Sequence, residues 1–141
     1  MEAYLDLHHE VDICLDTFPY GGGTTTCHAL WMGLPTLTLA GQTMPSRVGA
    51  CLQSHVDLAD FVCHHEAEFI EKGLYWSNHL AELATIRAGL RERFKDSAMG
   101  QASVIAASVE RALRIIWKRW CAGLPAKAFE VGAEENISIG L

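Results

Sequence analysis

Basic residues and long apolar runs are both scarce in this chain. Lys and Arg number 11 against 17 Asp and Glu, which gives the 141 residues a net charge of −6. Nucleic-acid-binding domains normally present a basic surface, so this balance argues against such a partner. No apolar stretch approaches the roughly 20 residues of a membrane-spanning helix, and the N-terminus does not have the pattern of a signal peptide. Neither nucleic acid nor a membrane is therefore expected as a partner.

Patterns of cysteines and metal ligands are sparse as well. The five cysteines form an odd number without any C-x-x-C pair. Reduced thiols in the cytoplasm fit this pattern best. The pairs His8-His9 and His64-His65 have no Cys or carboxylate at a ligand spacing, so no metal ion is expected. Cys27 is interpreted as a packing residue, because no partner base accompanies it.

The most informative stretch is DTFPYGGGTTTCHALW, Asp16 to Trp31. A β-prone run, Val11 to Asp16, precedes three glycines, and a helical pattern follows three threonines. Glycines let backbone N–H groups approach a ligand without a Cβ in the way. The first N–H groups of a helix are unpaired and carry roughly half a positive charge. The order strand, glycine turn, helix therefore predicts a site for a phosphate or another anion.

The rest of the chain alternates between strand and helix patterns and then becomes helical. Strands are predicted over Val11–Asp16, Thr36–Ala40 and Asp60–Cys63, and helices over Met1–Glu10, Thr24–Gly33, Ser46–His55, Glu66–Leu80, Ala81–Phe94 and Ala102–Cys121. Ser46 is expected to cap its helix. Strands joined through a helix indicate a parallel sheet, whose ligands bind at the carboxyl ends of the strands. Since two or three strands are few for a complete α/β domain, the chain is expected to be a fragment.

The segment DTFPYGGGTTTCHALWMGLPTLTLAGQTMPSRVGA, Asp16 to Ala50, closely resembles the donor-binding signature of the O-linked N-acetylglucosamine transferase family, particularly its bacterial and SPINDLY-like members. The segment RIIWKRWCAGLPAKAFEV, Arg114 to Val131, is similar to the C-terminus of such proteins. The resemblance implies an α/β fold with two Rossmann-like lobes, called GT-B, preceded by tetratricopeptide repeats. The chain is expected to be the C-terminal part of the second lobe. Residues 1–123 would form a partial nucleotide-sugar-binding lobe with C-terminal helices, and residues 124–141 a tail with a flexible end.

The resemblance also implies a reaction. Family members transfer a sugar, most often from UDP-N-acetylglucosamine, to Ser or Thr hydroxyls of a protein acceptor with inversion, and they need no metal or cofactor. Thr24 and Thr25 match the threonines that hydrogen-bond the donor phosphates, and Gly22 and Gly23 belong to the supporting turn. Animal members carry a histidine in place of Gly23. His28 could reach the ribose, or it could be a helix histidine whose ring bonds to backbone or water.

Two further candidates, Ser46 and Arg47, match a family feature near the donor pocket, although Arg47 could equally be an internal anchor. Thr26 is expected to be neutral for the donor, because one residue of helix turns it about 100° away from Thr25. Trp117 and Trp120 suit a seam between the two lobes. If the first lobe is missing, the chain is expected to self-associate through the surface that carries these tryptophans.

No catalytic residue is predicted here, because the family's proposed bases and its diphosphate-facing lysine lie upstream of the resembling segment. The chain alone is therefore expected to be inactive. Two other readings of the residues remain open. The chain could be a nucleotide-binding regulatory module, or a helical interaction module whose glycine turn is only structural.

Overall fold

A three-stranded parallel sheet organises the first hundred residues. The computed structural model describes residues 2–131. Its strands are β1 (Cys14–Leu15), β2 (Thr36–Leu39) and β3 (Val62–Cys63), in the order β1-β2-β3. Cys14 pairs with Thr36, and Thr38 pairs with Val62. All three carboxyl ends therefore meet at one edge of the sheet, as the sequence predicts.

Six α-helices lie within the described residues. They are α1 (Glu2–Asp6), α2 (Thr24–Trp31), α3 (Val48–Ser54), α4 (Glu66–Asn78), α5 (Leu80–Asp96) and α6 (Ala102–Cys121). The bounds of α6 match the prediction, and α4 and α5 differ from it by one or two residues at their ends. The segment predicted as one helix over Met1–Glu10 is shorter, because α1 gives way to a single 3-10 turn at Leu7–His9.

The outer strands are shorter than predicted. Of the run from Val11 to Asp16 only Cys14 and Leu15 form the strand, although the Asp16 N–H still donates to the Leu37 carbonyl of β2 at 2.9 Å. The predicted strand over Asp60–Cys63 begins at Val62, since Ala59–Phe61 forms a 3-10 turn.

The end of α2 follows the predicted stop signal. Gly33 has a φ of +74°, the left-handed conformation that favours glycine after a helix. The Leu34 N–H donates to the Ala29 carbonyl, which completes the reversal. A Cβ on Gly33 would lie 3.1 Å from the Arg87 carbonyl oxygen, so this glycine also lets α5 pack closely against the end of α2.

The core lies between β2 and the helices that cover it. Leu37 of β2 is fully buried, as are Leu30 of α2 and Leu90 of α5. Phe61 and Trp76 stack with ring centroids 4.7 Å apart. This packing fixes the sheet edge that carries the glycine turn.

Gln53 is an exception in this core. It is 0% exposed, and within residues 2–131 neither atom of its side-chain amide has a hydrogen-bond partner. An unsatisfied buried polar group costs about 1–3 kcal/mol. Gln53→Leu, which keeps a similar volume, is therefore expected to raise the free energy of unfolding by about 1–3 kcal/mol. Urea denaturation measures this change, and an unchanged or lower midpoint would contradict it.

The chain divides into two compact units, the first ending at Gly100 and the second beginning at Gln101. The second unit contains α6 and a segment at 124–131 without helix or strand. Trp117 and Trp120 on α6 are 64% and 76% exposed. The predicted boundary after residue 123 stays a prediction, and the predicted flexible end of the tail falls outside the described residues. No helix in the described range is long and apolar enough to cross a membrane.

Candidate functional site

Asp16 organises the glycine turn at the end of β1. One carboxylate oxygen accepts from the Gly22 N–H at 2.7 Å and from the Thr17 N–H at 2.9 Å. The other accepts from the Thr38 hydroxyl at 2.8 Å. Thr38 is buried in β2, so this carboxylate ties the turn to the central strand. The sequence analysis missed this role, because its partners lie up to 22 residues away along the chain.

Two glycines of the turn stand in different surroundings. A Cβ on Gly22 would lie 2.5 Å from the Thr25 Oγ1 atom and 2.9 Å from the Thr26 Oγ1 atom. A Cβ on Gly23 would meet only the Cγ1 atom of Val48, at 3.7 Å, which is ordinary contact. Only Gly22 therefore requires a glycine because of its close neighbours.

The three threonines after the turn divide into two kinds. Thr24 and Thr25 are exposed, and in the described part of the chain neither hydroxyl has a hydrogen-bond partner. Thr26 is buried, and its hydroxyl donates to the Gly22 carbonyl at 2.9 Å. The rotation that turns Thr26 away from Thr25 thus points its hydroxyl into the turn, and its neutrality for the donor stays a prediction.

The N-terminus of α2 is open. Gly23 is the cap residue and offers no side chain, and the first intrahelical bond runs from the Cys27 N–H to the Gly23 carbonyl at 3.0 Å. The N–H groups of Thr24, Thr25 and Thr26 therefore precede the hydrogen-bonded ladder of the helix. Two exposed hydroxyls beside these donors form a cradle that suits an anion.

His28 lies one turn along α2 from Thr24. Its ring is half-buried and meets the Tyr4 ring edge to face, with centroids 5.6 Å apart. Among residues 2–131 no group bonds its buried Nδ1 atom, so no backbone carbonyl of these residues accepts from that nitrogen. The Nε2 atom is the ring nitrogen left for a ligand.

A second loop, Gly41–Arg47, supports the turn. The Gly21 N–H donates to the Pro45 carbonyl at 3.3 Å. Ser46 is buried, and its hydroxyl donates to the Thr43 carbonyl at 2.8 Å and accepts from the Thr43 N–H at 3.0 Å. The prediction that Ser46 caps a helix is wrong. Since Pro45 starts a 3-10 turn over Pro45–Arg47, the helix begins only at Val48, and the hydroxyl closes the loop.

Arg47 is exposed at the start of α3. Exposure disagrees with the reading of Arg47 as an internal anchor. Its side chain lines an apolar groove with Met44 and Val48, and Val48 is the residue that lies next to Gly23. It also lines a second pocket with Ala50 and Ser54 of α3.

Other candidate residues have structural roles. His8 is buried, and its Nδ1 atom lies 3.2 Å from the Tyr4 carbonyl oxygen. The Nδ1 atom of His65 accepts from the Glu68 N–H and caps α4, a role that the sequence analysis missed. Burial raises the pKa of the Cys27 thiol, which agrees with a packing residue. No cluster of three or more potential metal ligands occurs within residues 2–131.

Comparison with known proteins agrees with this architecture. The profile of glycosyl transferase family 41 matches residues 6–109, about three quarters of the chain. A solved structure with the same fold is an O-GlcNAc transferase mutant from Thermobaculum terrenum. The two share 32% sequence identity at a TM-score of 0.80, over 87% of this chain and 24% of that one. The predicted fold class, few parallel strands followed by several helices of a GT-B glycosyltransferase, is confirmed.

Curated relatives agree with this match. SPINDLY of Arabidopsis thaliana, named a probable UDP-N-acetylglucosamine–peptide N-acetylglucosaminyltransferase, is 34% identical over 85% of this chain and 13% of its own length. A UDP-N-acetylglucosamine–peptide N-acetylglucosaminyltransferase of Caenorhabditis elegans is 26% identical over 81% of this chain and 10% of its own length. The chain belongs to glycosyl transferase family 41 and spans about an eighth of the plant relative.

Proposed function

We propose that this chain is the donor-binding part of a protein O-glycosyltransferase, which transfers N-acetylglucosamine from UDP to Ser and Thr hydroxyls of a polypeptide. One observation carries the proposal: the unpartnered hydroxyls of Thr24 and Thr25 stand beside the open N-terminus of α2, at the carboxyl end of β1. The names of the relatives support the donor and the class of acceptor. The rest of the enzyme would comprise a second lobe and tetratricopeptide repeats.

In this proposal the diphosphate lies across the cradle. Thr24 and Thr25 donate hydroxyl hydrogen bonds to its oxygens, and the turn at Gly22 and Gly23 supports the two threonines. His28 then faces the ribose. A neutral imidazole offers one donor and one acceptor, and with Nδ1 enclosed, Nε2 would make a single hydrogen bond to a ribose hydroxyl.

The chemical need is positive potential at the leaving group. As the bond from the sugar to the diphosphate breaks, negative charge builds on the diphosphate oxygens. Preorganised N–H and O–H donors stabilise that charge in the transition state. We propose inversion at the sugar without a metal or cofactor. No residue of this chain is assigned as the base, so the chain alone should not transfer sugar.

The state of the five cysteines indicates the cellular compartment in which the enzyme works. All of them lie in the described range, and all are free thiols. Since secreted proteins commonly oxidise their cysteines, we propose that the enzyme works in the cytoplasm.

Thr25→Val tests the cradle by removing one hydroxyl and keeping the β-branched shape. A hydrogen bond to a charged group is worth roughly 1.5–3 kcal/mol, so UDP affinity should fall roughly 10- to 150-fold. Ligand-observed NMR suits this test, because UDP affinity of the isolated chain is expected on the order of 1 mM. Thr85→Val, at an exposed position on α5, is the matched control. Equal affinity of wild type and Thr25→Val would show that the threonine is only a structural residue.

The exposed apolar face of α6 suits a contact with another part of the protein. Its large side chains are Val109, Leu113, Ile116, Trp117 and Trp120, each at least half exposed. We propose that the remainder of the longer protein covers this face. The chain alone should then self-associate, and Trp117→Ser with Trp120→Ser should return it to a monomer in light scattering. A wild-type chain that stays monomeric at high concentration would contradict this assignment.

A further inference from the structure

A second pocket lies between α3 and the residues that follow β2 and β3. One of its walls is a stripe along α3, Arg47, Ala50, Cys51 and Ser54, spaced as one helical face. The opposite wall consists of Ala40 and His64, which follow β2 and β3, and of Ala59 and Val62, just before and at the start of β3. Because most of these side chains are small, open space remains between the helix and the strand ends.

The lining of this pocket is cationic or neutral, in a chain whose net charge is −6. Within residues 2–131, neither the Arg47 guanidinium nor the His64 ring has a hydrogen-bond or ion-pair partner, and both residues are exposed. The Ser54 hydroxyl already donates to the Ala50 carbonyl at 2.8 Å. The two unpaired donors therefore come from Arg47 and His64.

The acid that bonds to the backbone of His64 is already engaged. The Glu68 carboxylate accepts from the backbone N–H of His64 at 2.7 Å and pairs with Lys72 at 3.1 Å. It neither lines the pocket nor occupies the Arg47 guanidinium. An arginine fork without a partner matches the geometry of a carboxylate or a phosphate.

We propose that this pocket binds a carboxylate side chain of the acceptor polypeptide, held by Arg47 and His64. The inference rests on the proposed function, because the acceptor must reach the sugar held at the cradle. Neighbouring strands lie about 4.8 Å apart, so the ends of β1 and β3 are about 10 Å apart across β2. An extended chain covers that distance in about three residues. The pocket would therefore favour acceptors with an acidic residue three to five positions from the modified hydroxyl.

The test compares two synthetic peptides on the UDP-loaded 141-residue chain. One carries a single serine with glutamates three to five positions away on either side, and the other carries glutamines there. We expect the glutamate peptide to bind at least tenfold more tightly, with its largest chemical shift changes at Arg47 and His64. The preference is the ratio of the affinities of the two peptides. Arg47→Gln and His64→Gln should each reduce the logarithm of this ratio by at least half. Arg114→Gln removes the same charge from an arginine that pairs with Glu110, and should leave the preference intact.

The outcomes separate the two proposals. If UDP does not bind the wild-type chain, the proposed function fails, whichever peptide is preferred. If UDP binds but the two peptides bind equally, the acceptor inference is overturned. Inorganic phosphate is the third probe. Shifts at Arg47 and His64 with phosphate, without a preference between the peptides, would identify a site for a free oxyanion and would also overturn the inference.

Discussion

Asp16→Ala is expected to abolish measurable UDP binding and to lower the free energy of unfolding by about 2–4 kcal/mol. The carboxylate accepts three hydrogen bonds, from the Gly22 N–H, the Thr17 N–H and the Thr38 hydroxyl. Alanine leaves the buried Thr38 hydroxyl and the half-buried Gly22 N–H without their acceptor. The glycine turn then loses its tie to β2, and the cradle loses the geometry that an anion needs. Urea denaturation and a UDP titration measure the two effects.

Asp16→Asn is the matched control, because its amide oxygen can still accept from both N–H groups. Its NH₂ group would then face Thr38, whose hydroxyl oxygen can accept a hydrogen bond in place of donating one. The asparagine variant should therefore retain most of the stability and most of the UDP affinity. If the alanine variant binds UDP as the wild type does, Asp16 does not organise the cradle. If asparagine is as damaging as alanine, the negative charge matters more than the hydrogen-bond geometry.

Gly22→Ala should weaken UDP binding at least tenfold, while Gly23→Ala should leave it nearly unchanged. The new Cβ at position 22 would lie 2.5 Å from the Thr25 Oγ1 atom, so that hydroxyl must rotate away. Rotation of a surface hydroxyl costs little in folding, but here it removes a donor from the proposed phosphate site. The second close atom, Thr26 Oγ1, is held by its bond to the Gly22 carbonyl and gives way less easily.

The alanine at position 23 serves as the paired control, since its nearest neighbour would be Val48 Cγ1 at 3.7 Å. Both variants add one methyl group to adjacent residues, so the comparison separates close packing from a general effect of losing a glycine. Isothermal titration or NMR with UDP gives the ratio of affinities. Equal affinity of the two variants would contradict the assigned role of Gly22.

The sequence predicted the elements of this site better than their connections. The strand, the glycine turn and the helix follow one another directly along the chain, so a local sequence pattern predicts them. The bond from Asp16 to Thr38 joins residues 22 positions apart, and no local pattern indicates it. Gly49 shows the same difficulty, because a Cβ there would lie 2.5 Å from the Asp16 carboxylate and 2.4 Å from the Thr38 hydroxyl. Its need for a small residue follows only from how α3 packs on β2.

Two local details of the site depend on interactions that the sequence did not indicate. Ser46 has the residue type of a helix cap, but the 3-10 turn that begins at Pro45 moved the start of α3 beyond it. Helix geometry turns Thr26 about 100° away from Thr25, but it could not show that the hydroxyl then donates to the Gly22 carbonyl of the turn. In both cases the decisive partner is a loop, whose path a single sequence specifies least.

The central claim is that Gly22 to Thr26 form a cradle for the diphosphate of a UDP-linked sugar. The most direct measurement is a titration of the isotopically labelled wild-type chain with UDP, followed by amide NMR, with GDP and NAD in parallel. The account predicts saturable shifts that are largest at Gly22, Gly23, Thr24, Thr25 and Thr26, and tighter binding of UDP than of the other two. Shifts centred elsewhere, or none at millimolar UDP, would contradict it.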